Sequence, residues 1–206
     1  MGKGLFITFE GIDGSGKSTA ARLVAERLSS SYKVWSTCEP TKTWLGNVVR
    51  KSHDEPVSPF TEAFLFMADR ATHCLEIKKK IEEGNIVISD RYADSSFAYQ
   101  AVALEPLIED PMKFLIECHK PFLIIPDITF LLIAEPEFCL TRVTTRNNGN
   151  GLSKFEKIEY LRKVHNNYLK LAQTEKRIRI IDATKKQDEI ADEIIGILKN
   201  LLDHTN

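Results

Sequence analysis

Hydrophobic and polar positions follow two different periods along this chain, and the switches between them mark out its elements. Five short apolar runs rich in β-branched residues fall at 4–9, 33–37, 85–89, 128–133 and 178–182. Their hydrophobicity is nearly continuous rather than alternating, as in strands covered on both faces of a parallel sheet. The intervening stretches have apolar residues at helical spacing and predict helices near 18–30, 59–83, 92–104, 112–119, 136–146, 155–175 and 188–203. In the last of these, Ile190, Ile194, Ile197, Leu198, Leu201 and Leu202 share one face. Strands alternating with helices predict an α/β fold, a five-stranded parallel sheet flanked by helices. No repeat, low-complexity tract or linker divides the 206 residues, so a single domain over 1–206 is expected.

Two stretches break the regular pattern. Residues 53–59 carry Pro56 and Pro59 and read as a loop entering a long helix. Residues 147–153, Asn147-Asn148-Gly149-Asn150-Gly151-Leu152-Ser153, are Asn/Gly-rich between basic residues. Gly and Asn tolerate unusual backbone angles, so this stretch is either a hinged lid over about 142–157 or a plain surface connection.

Composition narrows the function classes. Lys+Arg number 28 against 29 Asp+Glu, so no global field favours nucleic acid or an anionic membrane. Cys38, Cys74, Cys118 and Cys139 show no C-x-x-C or zinc spacing, and the five histidines are equally scattered. A reduced, intracellular chain is the simpler reading. Met1-Gly2-Lys3-Gly4 runs straight into a core strand, and no apolar run approaches membrane-spanning length. The expected location is cytoplasmic.

Candidate chemistry begins with Gly11-Ile12-Asp13-Gly14-Ser15-Gly16-Lys17-Ser18-Thr19, set between the first strand and the first helix. Strand, Gly-rich loop, helix is the context of a phosphate-binding loop, G-x-x-x-x-G-K-[ST]. Its glycines let backbone N–H groups face phosphate oxygens beside a helix N-terminus. Lys17 is placed to reach the terminal phosphates and Ser18 to put its hydroxyl on Mg²⁺. Asp90-Arg91-Tyr92 ends the third strand, at the sheet edge where open α/β sheets bind ligands. There Asp90 suits Mg²⁺ or its waters, and Arg91 supplies a fork for phosphate, although a structural ion pair is the plainer alternative.

Phe66 and Arg70 stand four apart in one helix, so a ring and a guanidinium share a face that suits a flat heterocycle. The plainer alternative puts Phe66 in the core and Arg70 in a surface pair. Tyr99 and Gln100 lie two turns into the helix that opens Ala93-Asp94-Ser95-Ser96; they either face the same site or, as an aromatic at helical spacing more often does, Tyr99 belongs to the core. Glu39-Pro40 follows the second strand, with a proline that fixes a turn and is open to a cis bond. Arg142, Arg146, Lys154 and Lys157 flank the Asn/Gly stretch, either as a cationic lid over a triphosphate or as a solvated basic face.

Taken in this order, the segments resemble the thymidylate kinases of the P-loop nucleoside-monophosphate kinases. Phe9 to Thr19, Glu39-Pro40, Leu65 to Arg70, Asp90-Arg91-Tyr92, Tyr99-Gln100, Leu140 to Arg146 and Phe155 to Leu161 all match. The resemblance implies a strand order 2-3-1-4-5, a homodimer, and Mg²⁺-dependent transfer of the ATP γ-phosphoryl group to dTMP, a step of dTTP biosynthesis. It implies that Gly11, Asp13, Gly14, Ser15, Gly16, Lys17, Ser18 and Thr19 hold the donor phosphates. Phe66 would stack on thymine, Arg70 would hydrogen-bond the base, and Gln100 would lie beside it. Asp13 would face the sugar 3′-hydroxyl, Tyr99 would crowd the sugar, and Arg91 would hold the monophosphate. Arg50, Glu39, Pro40 and Ser96 join the dTMP contacts. Lys17, Arg91, Arg142 and Arg146 would be the catalytic cations, with Ser18 and Asp90 on the metal.

Two departures from the family stand out. Some members carry a basic residue where this loop has Gly14, so the lid arginines Arg142 and Arg146 are expected to supply that charge. Many have Arg-Glu-Pro-Gly-Gly where this chain has Cys38-Glu39-Pro40-Thr41-Lys42. Alternatives are a kinase for another nucleoside monophosphate or a deoxynucleoside, and, in a different class, a non-catalytic nucleotide switch. A switch of the G-protein type would need an Asn-Lys-x-Asp motif, which is lacking.

Overall fold

A computed structural model describes residues 4–144 and 154–203. Five strands, β1 (Leu5–Glu10), β2 (Val34–Cys38), β3 (Ile86–Asp90), β4 (Ile128–Ile133) and β5 (Ile178–Asp182), form one all-parallel sheet in the order β2-β3-β1-β4-β5. The fold class and strand order agree with expectation. The first three strands, however, lie one residue further along than hydrophobicity suggested, because each ends on a polar residue: Glu10, Cys38 or Asp90. Backbone pairing carries those ends into the sheet; Phe9, for instance, registers with Asp90.

The helices are α1 (Lys17–Leu28), α2 (Trp44–Ser52), α3 (Pro59–Glu82), α4 (Ala93–Leu104), α5 (Pro111–His119), α6 (Pro136–Thr144), α7 (Lys154–Thr174) and α8 (Gln187–Asp203). α2 is absent from the helices expected above. It is only nine residues long, and its start depends on Thr43, whose side chain accepts from the Gly46 N–H. α3 opens as anticipated, with Ser58 accepting from the Thr61 N–H and Pro59 in the first turn.

The chain runs from β1 past β3 to β2, then returns through β3 to β4 and β5. Right-handed crossovers therefore put α1 on one face of the sheet and α3, α4 and α7 on the other. α8 packs on α1, while α4 packs on α3, α5 and α7. The core between these layers contains Phe6, Ile7, Phe9, Val87, Ile88, Phe130, Leu131 and Leu132, all at most 1% exposed. Each such side chain contributes roughly 1.5–3 kcal/mol by leaving water.

β1 and β3 are neighbours, yet the helices that follow them, α1 and α4, lie on opposite faces. The sheet thus opens a crevice at the C-terminal ends of these two strands, its topological switch point. No helix among the described residues is long and apolar enough to cross a membrane. All four cysteines are free thiols.

Candidate functional site

The loop after β1 forms one wall of the crevice. Gly14 and Gly16 have φ of 88° and 90°, backbone that L side chains rarely adopt. A Cβ on Gly14 would also lie 2.1 Å from the Cys139 carbonyl oxygen, so the space for a basic side chain at that position is filled by α6. Gly16 precedes α1 in the left-handed conformation without a side-chain cap, which leaves first-turn N–H groups free for an anion. The hydroxyl of Ser15, fully buried inside the loop, has no protein partner.

Lys17 donates to Asp13 Oδ1 at 3.4 Å, and the Arg91 guanidinium binds the same oxygen. Burial and the neighbouring Arg91 charge lower the Lys17 ammonium to about 8, against the pull of Asp13 and Asp90. Burial opposes ionisation of Asp13, but Arg91 and Lys17 overcome it and hold the carboxyl at about 2. Lys17, at the start of α1, and Arg91, just after β3, are therefore joined through one carboxylate. The Asp13 N–H donates to the Tyr99 hydroxyl, and the Arg91 guanidinium lies 5.1 Å from the Tyr99 ring centroid.

A cavity of about 920 Å³ extends from the loop, lined by Gly16, Lys17, Ser18, Arg142, Lys157 and Gln187 among others. Arg142 donates to the Ala183 carbonyl and lies 4.3 Å over the Phe138 ring. Thr19, Asp13 and Gly14 border the same space. Arg146 and the Asn/Gly stretch 147–153 lie outside the described residues, as does the side chain of Lys154. Ser18 and Asp90 both line a second cavity of about 720 Å³ at the β2 edge, together with Cys38 and Lys42. Asp90 Oδ1 is buried without a partner. One carboxylate plus a loop hydroxyl is a donor set that suits Mg²⁺, which keeps waters and phosphate oxygens as its other ligands. No group of three His, Cys, Asp or Glu side chains able to hold a metal occurs among the described residues.

Arg91 has φ 70°, an unusual backbone for a residue with a β-carbon, at a cost of about 1–3 kcal/mol. Its N–H donates to the Phe9 carbonyl, and its carbonyl accepts from the Ser89 hydroxyl. The ion pair anticipated as the plainer alternative at this strand end does exist, but it joins Arg91 to Asp13 rather than to Asp90.

α3 and α4 form the far wall. Gln100 donates to Glu62 at 3.3 Å, and Arg70 donates to Ser96 at 2.9 Å. These two links bracket Phe66, which is half-buried on α3 with its ring 6.0 Å from His53. Arg70 is 1% exposed, and each of its guanidinium nitrogens meets an acceptor. Nε and Nη2 bind Glu39 Oε2, Nη1 meets Ser96 and His119, and Nη2 also reaches the Tyr92 carbonyl. His119 must give its Nδ1 proton to the Leu115 carbonyl and accept from Arg70 at Nε2. Burial and the Arg70 charge accordingly lower its imidazole to about 4. His73 joins the other Glu39 oxygen to the Thr37 hydroxyl.

The loop after β2 is held by the same cluster. Asp69 accepts from the Thr41 N–H and hydroxyl, and Arg50 donates to the carbonyls of Pro40 and Thr41. The Glu39–Pro40 bond is cis. Spacing along the chain did not single out Asp69, His73, His119, Tyr168 or Gln187. The side-chain partners of the first four lie tens of residues away along the chain.

Comparisons with known proteins agree with this geometry. The family model described as Thymidylate kinase matches residues 9–194. A protein named "Probable thymidylate kinase" from Methanococcoides burtonii is 40% identical over 203 residues, covering 98% of this chain and 99% of the relative. One of the same name from Methanosarcina barkeri is 41% identical over 201 residues, covering 94% and 95%. A third, from Methanocaldococcus jannaschii, is 40% identical over 202 residues, covering 96% and 97%.

Proposed function

The chain belongs to the thymidylate kinase family, and from that premise we propose that it transfers the γ-phosphoryl group of ATP to dTMP, giving dTDP and ADP. The observation that carries this reading is the Asp13 carboxylate shared by Lys17 and Arg91, which sets two anion-binding centres side by side. Gly11 to Thr19 and the 920 Å³ cavity take the ATP phosphates, and the α3–α4 wall takes dTMP. Arg91 binds the monophosphate, Phe66 stacks on thymine, and Tyr99 and Asp13 flank the sugar. Arg70 and Ser96 reach the base from the wall, together with Gln100. Arg70 already has an acceptor at every nitrogen, so it borders the base as part of a closed wall and keeps these partners.

The acceptor is a phosphate oxygen that is already anionic at neutral pH, so transfer needs alignment and charge neutralisation and no general base. Lys17 and Arg91 serve the equatorial oxygens, joined by the lid arginines Arg142 and Arg146. Ser18 and Asp90 would hold Mg²⁺, which would add to the neutralisation of the donor phosphates. The free thiols suit a reducing cytoplasm. A homodimer is supported by α3, where Phe64 and Leu75 are 49% and 72% exposed in line with the exposed Ala68 and Thr72.

A coupled assay of ADP release from Mg-ATP with dTMP, dUMP, dCMP, UMP and thymidine tests the reading. dTMP should be preferred, Lys17→Ala should cut turnover on the order of a hundredfold or more, and Phe66→Ala should mainly weaken the acceptor. Equal rates with dTMP and dCMP would remove the thymine assignment of Phe66.

A further inference from the structure

α4 begins without a cap of its own: Tyr92 occupies the cap position and contributes no side-chain hydrogen bond. The missing acceptor comes from β1. Glu10, the last residue of that strand and 0% exposed, accepts from the N–H groups of Tyr92 and Ser95 at 2.8 and 3.3 Å through Oε1. Its Oε2 accepts from the Ser95 hydroxyl at 2.6 Å and the Tyr168 hydroxyl at 3.0 Å. A carboxylate facing a helix N-terminus is favoured by the helix dipole as well as by the hydrogen bonds.

Arg91 is the residue just before this cap, in its left-handed conformation, and its Nη1 donates to Ser95 Oγ at 2.9 Å. The single Ser95 proton goes to Glu10, which turns the hydroxyl lone pairs towards the guanidinium. Glu10 thus restrains Arg91 twice, through the backbone N–H of the next residue and through the Ser95 hydroxyl. We propose that Glu10 is a positioning residue for phosphoryl transfer, holding the Arg91 guanidinium at the acceptor phosphate through Ser95 and the start of α4. The proposal rests on the reading that Arg91 binds the dTMP phosphate.

Tyr168 extends the linkage to α7, the helix that follows the Asn/Gly stretch. Asn167 donates to the Ala98 carbonyl and Tyr160 to the Tyr99 carbonyl, so α7 is fastened to α4 at two further points, both N-terminal to Tyr168 on α7. Behind it, Arg177 binds Asp94 with both terminal nitrogens and also reaches Thr129. Arg91, Asp94, Arg177 and Arg70 are the charged groups around Glu10, with Ser95 and Tyr168 as its hydroxyl partners.

Steady-state kinetics on Glu10→Gln, Glu10→Ala, Ser95→Ala and Arg91→Ala test the assignment, with thermal unfolding measured in parallel. Ser95→Ala breaks the link to Arg91 and leaves the backbone N–H groups of the cap in place. It should raise KM for dTMP about tenfold, a loss of the size of one hydrogen bond to a charged group, and leave KM for ATP within about twofold. Glu10→Ala should raise KM for dTMP further, and Glu10→Gln should recover only part of that loss, because its oxygen still caps α4 while its amide nitrogen cannot accept from Ser95. If the Glu10 and Ser95 variants change only the melting temperature while Arg91→Ala weakens dTMP, Glu10 is structural and the proposal fails. If Arg91→Ala itself leaves KM for dTMP unchanged, the placement of the acceptor phosphate fails and this proposal falls with it.

Discussion

Arg70 lies among Glu39, Ser96, His119 and the Tyr92 carbonyl at 1% exposure, whereas the Arg91 side chain is 18% exposed and paired with a carboxylate that is itself 60% exposed. Both are guanidinium groups beside the β1–β3 crevice, and both belong to the wall assigned to dTMP. At the base end the charge is buried, compensated and closed. At the phosphate end it is held by an exposed anion, Asp13, whose place an incoming phosphate can take. The contrast separates two uses of an arginine: Arg70 ties α3, α4, α5 and the loop after β2 together, while Arg91 is poised to exchange partners.

Removing each charge is the strongest way to break this comparison. Arg70→Ala leaves Glu39 buried with only His73 to compensate it, and unpaired buried charges typically cost about 3–5 kcal/mol. Arg91→Ala leaves Asp13 partly exposed and still paired with Lys17, so its stability loss should be less than half as large, with the main effect on acceptor binding. Denaturant midpoints measure both. Equal losses would mean that the phosphate end is as closed as the base end.

The two ends should also respond to pH in opposite directions. His119 titrates at about 4 in the folded protein against an ordinary 6.5, so the unfolded chain binds the extra proton in that window. Stability from this group is complete above about pH 6.5 and is lost as pH falls towards 4. Glu10 is raised to about 7, by burial first and by the Asp94 charge second, from an ordinary 4.5. Here the folded protein binds the extra proton, so stability falls as pH rises from about 4.5 to 7 and the cost persists above. Each slope is at most about 1.4 kcal/mol per pH unit. Comparing unfolding free energies of wild type, His119→Gln and Glu10→Gln across pH 4–8 isolates them. His119→Gln should remove the acid-side loss and Glu10→Gln the loss towards neutrality; slopes of the same sign would contradict both protonation assignments.

Much of the fold was readable from periodicity, because strands buried on both faces and amphipathic helices advertise themselves in hydrophobicity. The phosphate loop and Asp90-Arg91-Tyr92 were readable because their chemistry is local, with the residues that act together adjacent in the chain. At the base end, Phe66 and Arg70 could be singled out as four apart on one helix, but the network around Arg70 could not. Arg70, Glu39 and His119 are 31 and 49 residues apart along the chain, so no spacing rule joins them. Their buried polar character emerges only when α3, α4 and α5 pack. The same reason hid the role of Glu10, whose partners Ser95 and Tyr168 come from α4 and α7. The helix α2 was hidden differently, since it is only nine residues long, with a start set by the Thr43 cap.

Arg50 offers the smallest and sharpest test of where the closed end stops. Its donors go to the Pro40 and Thr41 carbonyls and to Asn47 Oδ1, so in this arrangement it braces the loop after β2 and has no free fork for phosphate. If bracing is its whole role, Arg50→Ala loses hydrogen bonds that are partly exposed, worth about 1 kcal/mol in stability, and KM for dTMP rises only a few fold. Arg50→Lys should then behave almost like Arg50→Ala, because an ammonium does not reproduce the two-pronged contact with adjacent carbonyls. A tenfold or greater rise in KM for Arg50→Ala, largely restored by Arg50→Lys, would instead mark a charge that reaches the monophosphate. The exchangeable end of the site would then include α2, and Arg91 would share the acceptor phosphate with a second cation.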